Sequence, residues 1–158
     1  MCGIFGCIAG VNVSNYIYQG LKRLEYRGYD SVGVATIHGG KLFIKKDRGK
    51  IEEVNSVHKL VDMPGSIGIG HTRWATHGAP SAENAHPHVD CRGMVAVVHN
   101  GVLENFLTLR KELEERGHKF TSRTDTEVFS HLIEDFLLEG NDLCNAVTKA
   151  INKVEGSY

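Results

Sequence analysis

The chain begins Met1-Cys2-Gly3-Ile4-Phe5-Gly6-Cys7-Ile8-Ala9. The apolar run from Ile4 to Ala9 predicts a short buried strand. Methionine is routinely removed before a small residue, which would leave Cys2 with a thiol and a free α-amine. An α-amine has an unperturbed pKa of roughly 7.7–8.0 and a thiol of roughly 8.5, so the amine can serve its own thiol as a base near neutral pH. This start therefore predicts a candidate nucleophile on a strand, although three residues alone do not exclude an ordinary chain start.

The overall composition is that of an ordinary globular domain. The 158 residues include 18 basic and 19 acidic side chains, for a net charge of −1. This balance gives no indication of a nucleic acid partner or of binding to an anionic membrane surface. The apolar runs are too short to span a bilayer, and no secretory leader precedes Cys2. We therefore expect one domain over residues 1–158 in the cytoplasm, with its four cysteines reduced.

Hydrophobic periodicity predicts a mixture of helices and antiparallel strands. Helices are expected over residues 14–24, 51–60, 106–116 and 142–153, with a further helix headed by the capping-box sequence Thr124-Asp125-Thr126-Glu127. Strands are expected over residues 31–37 and 41–45, joined by a hairpin turn at Gly39-Gly40, and over residues 66–72 and 94–99. Because these elements do not alternate as repeated βαβ units, the order favours an α+β fold.

The dipeptide Asn100-Gly101 directly follows the apolar strand predicted over residues 94–99. Asn-Gly is a preferred sequence for a type I′ hairpin turn, so a simple hairpin is the ordinary interpretation. The same turn would also expose the Asn100 side-chain amide together with the Gly101 backbone N–H. Two donors directed at one point form an oxyanion hole. The dipeptide is compatible with either interpretation.

Two further features suggest that an amino acid is bound by its charged ends. Arg73 and Trp74 follow the strand predicted over residues 66–72. A guanidinium group can hold a carboxylate with two hydrogen bonds while the indole excludes water. Asp125, at the head of its predicted helix, could pair with a substrate ammonium group. The alternatives are a solvated arginine beside a packed tryptophan, and an acid that complements the helix dipole.

Histidines and cysteines raise the question of a metal site. Five histidines occur between residues 71 and 99, but there is no H-E-x-x-H motif and no acidic residue at helical spacing from a histidine pair. We therefore expect no metal and assign these histidines structural hydrogen bonds. A metal-dependent hydrolase stays as an alternative. Cys7 and Cys144 are expected to be buried as small apolar residues. Cys91, in a predicted turn, receives no role.

Six separated motifs resemble those of the class II glutamine amidotransferases. They are Cys2-Gly3-Ile4, Arg23 to Ser31, His71 to Gly78, Asn84 to His88, Val98 to Gly101, and Thr124 to Glu127. The resemblance runs from Cys2 to the last residue. The family has one branch that aminates a hexose phosphate and another that aminates phosphoribosyl pyrophosphate. The sequences of residues 27–31 and 73–78 are more similar to those of the first branch.

The resemblance implies a fold and a set of residue roles. The fold would be of the N-terminal-nucleophile hydrolase type, an αββα sandwich of four layers. Glutamine would be hydrolysed to glutamate and ammonia without a cofactor. Cys2 would be the nucleophile and its own α-amine the base. The other implied roles are oxyanion stabilisation by Asn100 and Gly101, binding of the glutamine α-carboxylate by Arg73 and of its α-ammonium by Asp125, and closure of a mobile loop that carries Trp74, Thr76 and His77.

The resemblance also implies that this chain is one part of a longer enzyme. In the family the glutaminase domain continues beyond Tyr158, so the domain is expected to be C-terminally incomplete. The sugar isomerase domains, which are absent here, would be the partners that use the ammonia to convert fructose 6-phosphate to glucosamine 6-phosphate. Assembly into a homo-oligomer is a further expectation. The alternative is a non-catalytic glutamine-binding or regulatory module, which would follow from truncation or from retention of Met1.

Overall fold

The computed structural model describes residues 2–75 and 78–158. They belong to two compact units that meet in the sequence between Pro87 and His88. The first unit contains strands β1 (Gly3–Ile8), β2 (Ser31–His38), β3 (Lys41–Arg48) and β4 (Ile67–Arg73), with helices α1 (Ser14–Leu24) and α2 (Ile51–His58). The second contains short strands β5 (His88–Val89), β6 (Ala96–Val97), β7 (Val102–Leu103) and β8 (Gly156–Ser157), with helices α3 (Phe106–Glu115), α4 (Glu127–Leu138) and α5 (Leu143–Ile151).

The first unit is built on an antiparallel sheet with the strand order β1-β4-β2-β3. The predicted hairpin is confirmed, because Gly39 and Gly40 join β2 to β3 with φ values of 56° and 73°, which suit glycine. In the register of β1 with β4, Gly3 lies opposite Thr72. The beginning of β1 and the end of β4 therefore lie at the same end of the sheet.

Helix α1 packs its apolar face on this sheet. Ile17 and Leu21 are fully buried on one face of the helix and belong to the same core as Val32 and Val34 of β2. A Cβ atom at Gly70 of β4 would lie 2.7 Å from side-chain atoms of both Ile17 and Leu21. The helix therefore packs directly against the backbone of β4. Burial of each such side chain contributes about 1.5–3 kcal/mol.

The second unit has a separate core formed mainly by its three helices. The fully or almost fully buried side chains of this core are Leu103, Leu113, Val128, Leu132, Ala146 and Ala150. Helix α5 begins after Asp142, whose carboxylate accepts the N–H of Asn145 at 2.8 Å. The helix predicted near Thr124–Glu127 is confirmed as α4, and its apolar side chains are buried in this core or packed against it.

Two predictions for the second unit are wrong. The strand expected over residues 94–99 is limited to Ala96–Val97. The Asn100-Gly101 turn is also not a hairpin, because the strands on either side of it pair elsewhere: β6 pairs with β5, and β7 pairs with β8. The apolar run at 94–98 and the Asn-Gly sequence are local signals. The partner of β6 is nearby in the sequence, since Val89 lies opposite Ala96, whereas the partner of β7 is distant, since Val102 lies opposite Ser157.

The predicted capping box and one predicted cysteine environment are also wrong. Helix α4 begins at Glu127 after Thr126, which makes no side-chain capping bond. The Thr124 hydroxyl instead lies 2.8 Å from His88 Nε2, while the Glu127 carboxylate accepts backbone N–H groups from the preceding loop. Cys144 is exposed rather than buried, whereas Cys7 is half-buried against the first core.

The observed mixture of antiparallel sheets and helices confirms the predicted α+β class. Among residues 2–75 and 78–158, no helix is long and apolar enough to span a membrane.

Replacement of Gly33 tests how tightly the histidine-rich segment is packed on the first sheet. A Cβ atom at Gly33 would lie 2.1 Å from the carbonyl oxygen of His86, whereas no atom lies within 4 Å of a Cβ at Gly10. We expect Gly33→Ala to lower the free energy of unfolding by about 1–3 kcal/mol, and Gly10→Ala to change it by less than about 0.5 kcal/mol. Urea denaturation of both variants measures the difference. Equal stabilities would contradict this packing.

Candidate functional site

The predicted site residues form two groups, one in each unit, and each group is described by itself. The first unit contains Cys2, Arg73 and Trp74, and the second contains Asn100, Gly101 and Asp125. Thr76 and His77 lie outside the described residues.

The thiol of Cys2 lies against the backbone at the end of β4. Its Sγ accepts the backbone N–H of Trp74 at 3.3 Å, and the thiol can donate to the Trp74 carbonyl oxygen at 3.6 Å. Cys2 is half-buried. The β1–β4 pairing thus places the candidate nucleophile beside the residue that follows Arg73.

The loop between α1 and β2 supports this position from the other side. A Cβ atom at Gly28 would lie 2.6 Å from the carbonyl carbon of Arg73 and 2.7 Å from the nitrogen of Trp74. Only glycine, which lacks this atom, permits so close an approach. The Tyr29 ring contacts Trp74 edge to face, with 5.4 Å between ring centroids. The loop therefore packs on the backbone that faces the Cys2 sulfur.

Asp30 adds two hydrogen bonds to the same segment. Its backbone N–H donates to the Arg73 carbonyl oxygen at 3.0 Å, and its Oδ2 accepts the N–H of Ala75 at 2.8 Å. Gly28, Tyr29 and Asp30 are therefore positioning residues. In the sequence these residues stand out only as part of a family motif, because the pattern of a loop does not reveal which backbone it contacts.

Arg73 and Trp74 differ sharply in exposure. Arg73 is 4% exposed, and both terminal nitrogens of its guanidinium group lie 3.5 Å from the Gly78 carbonyl oxygen. Trp74 is 44% exposed. The alternative of a solvated arginine is therefore wrong. A buried guanidinium group is suited to an anionic group on a small ligand.

The Asn100-Gly101 turn is exposed and its shape depends on glycine. Gly101 has a φ of 155°, and a Cβ atom there would lie 1.9 Å from the carbonyl oxygen of Ser157. No side chain fits at this position without moving the backbone of β8. The turn that carries the two predicted oxyanion donors is thus held in one conformation by its contact with β8.

His99 fixes the residue immediately before this turn. Its ring is buried, with Nδ1 3.0 Å from the Thr126 hydroxyl and Nε2 3.4 Å from the Ser157 carbonyl oxygen. Since a carbonyl oxygen only accepts, we assign the ring proton to Nε2. Burial lowers the pKa of His99, although the nearby Asp125 carboxylate opposes this, so the ring is neutral at neutral pH. His99 is thus a positioning residue, and the structural role predicted for it is confirmed.

Asp125 carries a buried carboxylate. It is 6% exposed, and it accepts the backbone N–H groups of Leu103 and Thr126 at 2.8 and 2.9 Å. Within the described residues 88–158, no lysine or arginine forms an ion pair with it. A buried carboxylate that has no cationic side chain paired with it in this unit is suited to a cationic ligand group such as an ammonium.

Three other described histidines of residues 71–99, His71, His86 and His88, make structural contacts, and the predicted hydrogen bonding is confirmed for His88. The His71 and His86 rings stack with 4.2 Å between centroids, and His88 bonds to Thr124 as described above. These contacts do not form a metal-binding arrangement among the described histidines of residues 71–99.

The model of the glutamine amidotransferase domain family matches residues 56–148. The chain belongs to this family. The predicted enzyme class is therefore confirmed.

Curated relatives extend this similarity over the whole chain. Glutamine–fructose-6-phosphate aminotransferases of Pyrococcus horikoshii, Methanothermobacter thermautotrophicus and Zymomonas mobilis are each 54% identical to it across its full length. The chain spans only 26–27% of the length of these relatives.

Solved structures confirm the predicted fold type. The glutamine phosphoribosylpyrophosphate amidotransferase of B. subtilis is 31% identical, with a TM-score of 0.84. A structure described as the allosteric regulatory enzyme of purine biosynthesis is 32% identical, with the same TM-score of 0.84. Both alignments cover 100% of this chain and 34% of the neighbour's chain. The chain thus has the α+β fold of the N-terminal-nucleophile amidotransferases.

Proposed function

We propose that the chain hydrolyses glutamine to glutamate and ammonia, with Cys2 as the nucleophile. The observation that carries this proposal is the 3.3 Å contact between the Cys2 sulfur and the backbone N–H of Trp74, directly after Arg73. The thiol lies at the beginning of its strand, where removal of Met1 would also free the α-amine. Membership of the glutamine amidotransferase domain family supports glutamine as the substrate.

The charged ends of glutamine require one cationic and one anionic side chain. Arg73 offers a buried guanidinium group for the α-carboxylate, and Asp125 offers a buried carboxylate for the α-ammonium. Trp74, Thr76 and His77 follow Arg73 in the sequence, and we assign them to the loop that closes over the bound amino acid. Recognition of both ends would select an amino acid over a simple amide.

The reaction divides into two steps at the side-chain carboxamide. The α-amine of Cys2 accepts the thiol proton, and the thiolate forms a bond to the carboxamide carbon. The resulting oxyanion accepts hydrogen bonds from the Asn100 amide and the Gly101 N–H. Collapse of this intermediate breaks the C–N bond, and the amine returns its proton to the departing ammonia. Water then hydrolyses the thioester, which releases glutamate and restores the thiol.

The ammonia can serve a second reaction in a longer enzyme. The curated relatives are named glutamine–fructose-6-phosphate aminotransferases, and this chain matches about a quarter of their length. We propose that a sugar isomerase domain uses the ammonia to convert fructose 6-phosphate to glucosamine 6-phosphate.

Covalent labelling of the mature chain tests the nucleophile. A diazoketone analogue of glutamine should alkylate Cys2 with one equivalent and abolish glutamate release, as measured by peptide mass spectrometry and a glutamate assay. Cys7→Ala is the matched control, because Cys7 lies on the same strand and is also half-buried. It should keep both labelling and activity, whereas Cys2→Ala should lose both. Labelling at another residue, or an active Cys2→Ala variant, would contradict the proposal.

Asn100→Ala and Arg73→Lys should impair different steps. Loss of one oxyanion donor should lower kcat by about 10²–10³-fold with little change in KM. Arg73→Lys keeps the charge but loses the paired hydrogen bonds to the α-carboxylate, so KM for glutamine should rise about tenfold or more. Steady-state kinetics of both variants separates the effects. The same change in KM for both, or an unchanged kcat in Asn100→Ala, would contradict these roles.

A further inference from the structure

Four metal-ligating side chains converge in the second unit, outside the site described above. They are Cys91, His118, His131 and Glu134, and one ligand atom of each lies within 4.8 Å of all the others. Cys91 lies in the turn between β5 and β6, His118 follows α3, and His131 and Glu134 are on α4. The cluster thus joins three segments that are separate in the sequence.

The distances within the cluster match a tetrahedral zinc site. Zinc bonds of about 2.0–2.1 Å to nitrogen or oxygen and about 2.3 Å to sulfur give tetrahedral edges of roughly 3.3–3.6 Å. The two histidine Nδ1 atoms are 3.3 Å apart, and Cys91 Sγ lies 3.7 Å from that of His118 and 3.6 Å from that of His131. Glu134 Oε2 lies 3.2 and 3.5 Å from these same two nitrogens, respectively.

The outer nitrogens of both rings face carboxylates. His118 Nε2 is 2.7 Å from Asp135 Oδ1, whereas His131 Nε2 lies 3.7 Å from Glu127 Oε1, which is too long for a hydrogen bond. The short contact with Asp135 favours the ring proton on His118 Nε2, which leaves the Nδ1 lone pair of His118 available to a metal ion in the cluster. This carboxylate–histidine arrangement is typical of the residues that surround metal-bound imidazoles. A cation at the centre would be attracted by this lone pair and by the Glu134 carboxylate.

Backbone groups hold the other two ligand atoms. The N–H of Lys119 donates to Cys91 Sγ at 3.4 Å, and the N–H of Cys91 donates to Glu134 Oε2 at 3.1 Å. Arg116 pairs with Asp135 on the outer side. An open cleft of about 260 Å³, lined by Cys91, His118 and Glu134 among others, provides a route for an ion to enter.

We propose that Cys91, His118, His131 and Glu134 bind one Zn²⁺ ion with a structural role. One thiolate and two imidazoles suit zinc, and the thiolate and carboxylate together balance its double charge. Four protein ligands leave no open position for a substrate, which is typical of structural sites. The ion would cross-link the β5–β6 turn and the segment that follows α3 to helix α4.

This assignment departs from the expectation of no metal, which considered only the histidines of residues 71–99. The ligands follow one another at separations of 27, 13 and 3 residues, a spacing that matches no short metal motif. The inference does not depend on the proposed glutaminase reaction.

Metal content of the 158-residue chain tests the proposal. The chain is purified without metal-affinity chromatography, incubated with ZnCl₂ and freed of excess ion, and zinc is then measured by mass spectrometry. We expect one zinc per chain in the unaltered protein and in the control Cys144→Ser, whose cysteine is exposed on α5. Cys91→Ser should lose at least about nine tenths of the zinc. No zinc in the unaltered chain, or equal zinc in both variants, overturns the site.

Two further readouts keep the test independent of how well Cys91→Ser folds. In the unaltered chain, Co²⁺ in place of zinc should give the thiolate charge-transfer band and the intense visible bands of tetrahedral cobalt; a spectrum without these bands overturns the site. Removal of the ion with a chelator should lower Tm by at least about 4 °C in the unaltered chain and in Cys144→Ser. An unchanged Tm overturns the structural role.

Discussion

The antiparallel pairing of β1 with β4 is the constraint on which the candidate site depends. This register places Gly3 opposite Thr72, so the residue before Gly3 lies beside the residues after Thr72. Cys2 therefore meets the backbone of Trp74, although the two are 72 residues apart. Helix α1 packs on one face of β4, and the Gly28–Asp30 loop contacts the end of β4. The chemistry proposed for the thiol requires that each of these contacts forms.

Local patterns predicted most elements of the fold. The β2–β3 hairpin follows from two strand-like runs that flank Gly39-Gly40, and α1 follows from a regular apolar face. The failures lie where distant residues decide the structure. Asn100-Gly101 has the sequence of a hairpin turn, but the strand that follows it pairs with residues 156–157 near the end of the chain. Thr124 has the sequence of a helix cap, but its hydroxyl bonds to His88.

The sequence indicates some residues of the candidate site but not others. Cys2 and Arg73 are candidates from residue type alone, and the resemblance to the amidotransferases is what gives them their proposed roles. Positioning residues such as Asp30 and His99 could not be found, because they act through hydrogen bonds to backbone or hydroxyl groups that only the fold brings close. The zinc ligands share this property, since three elements must assemble before His118 approaches Cys91.

The central claim is that a thiol and a free α-amine on Cys2 act together, and N-terminal processing tests it most directly. The chain is made with an extension that a protease removes immediately before Cys2, and glutamate release from glutamine is followed before and after cleavage. The account predicts no turnover while the nitrogen of Cys2 is an amide, and turnover once cleavage frees the amine. Equal rates before and after cleavage would contradict it.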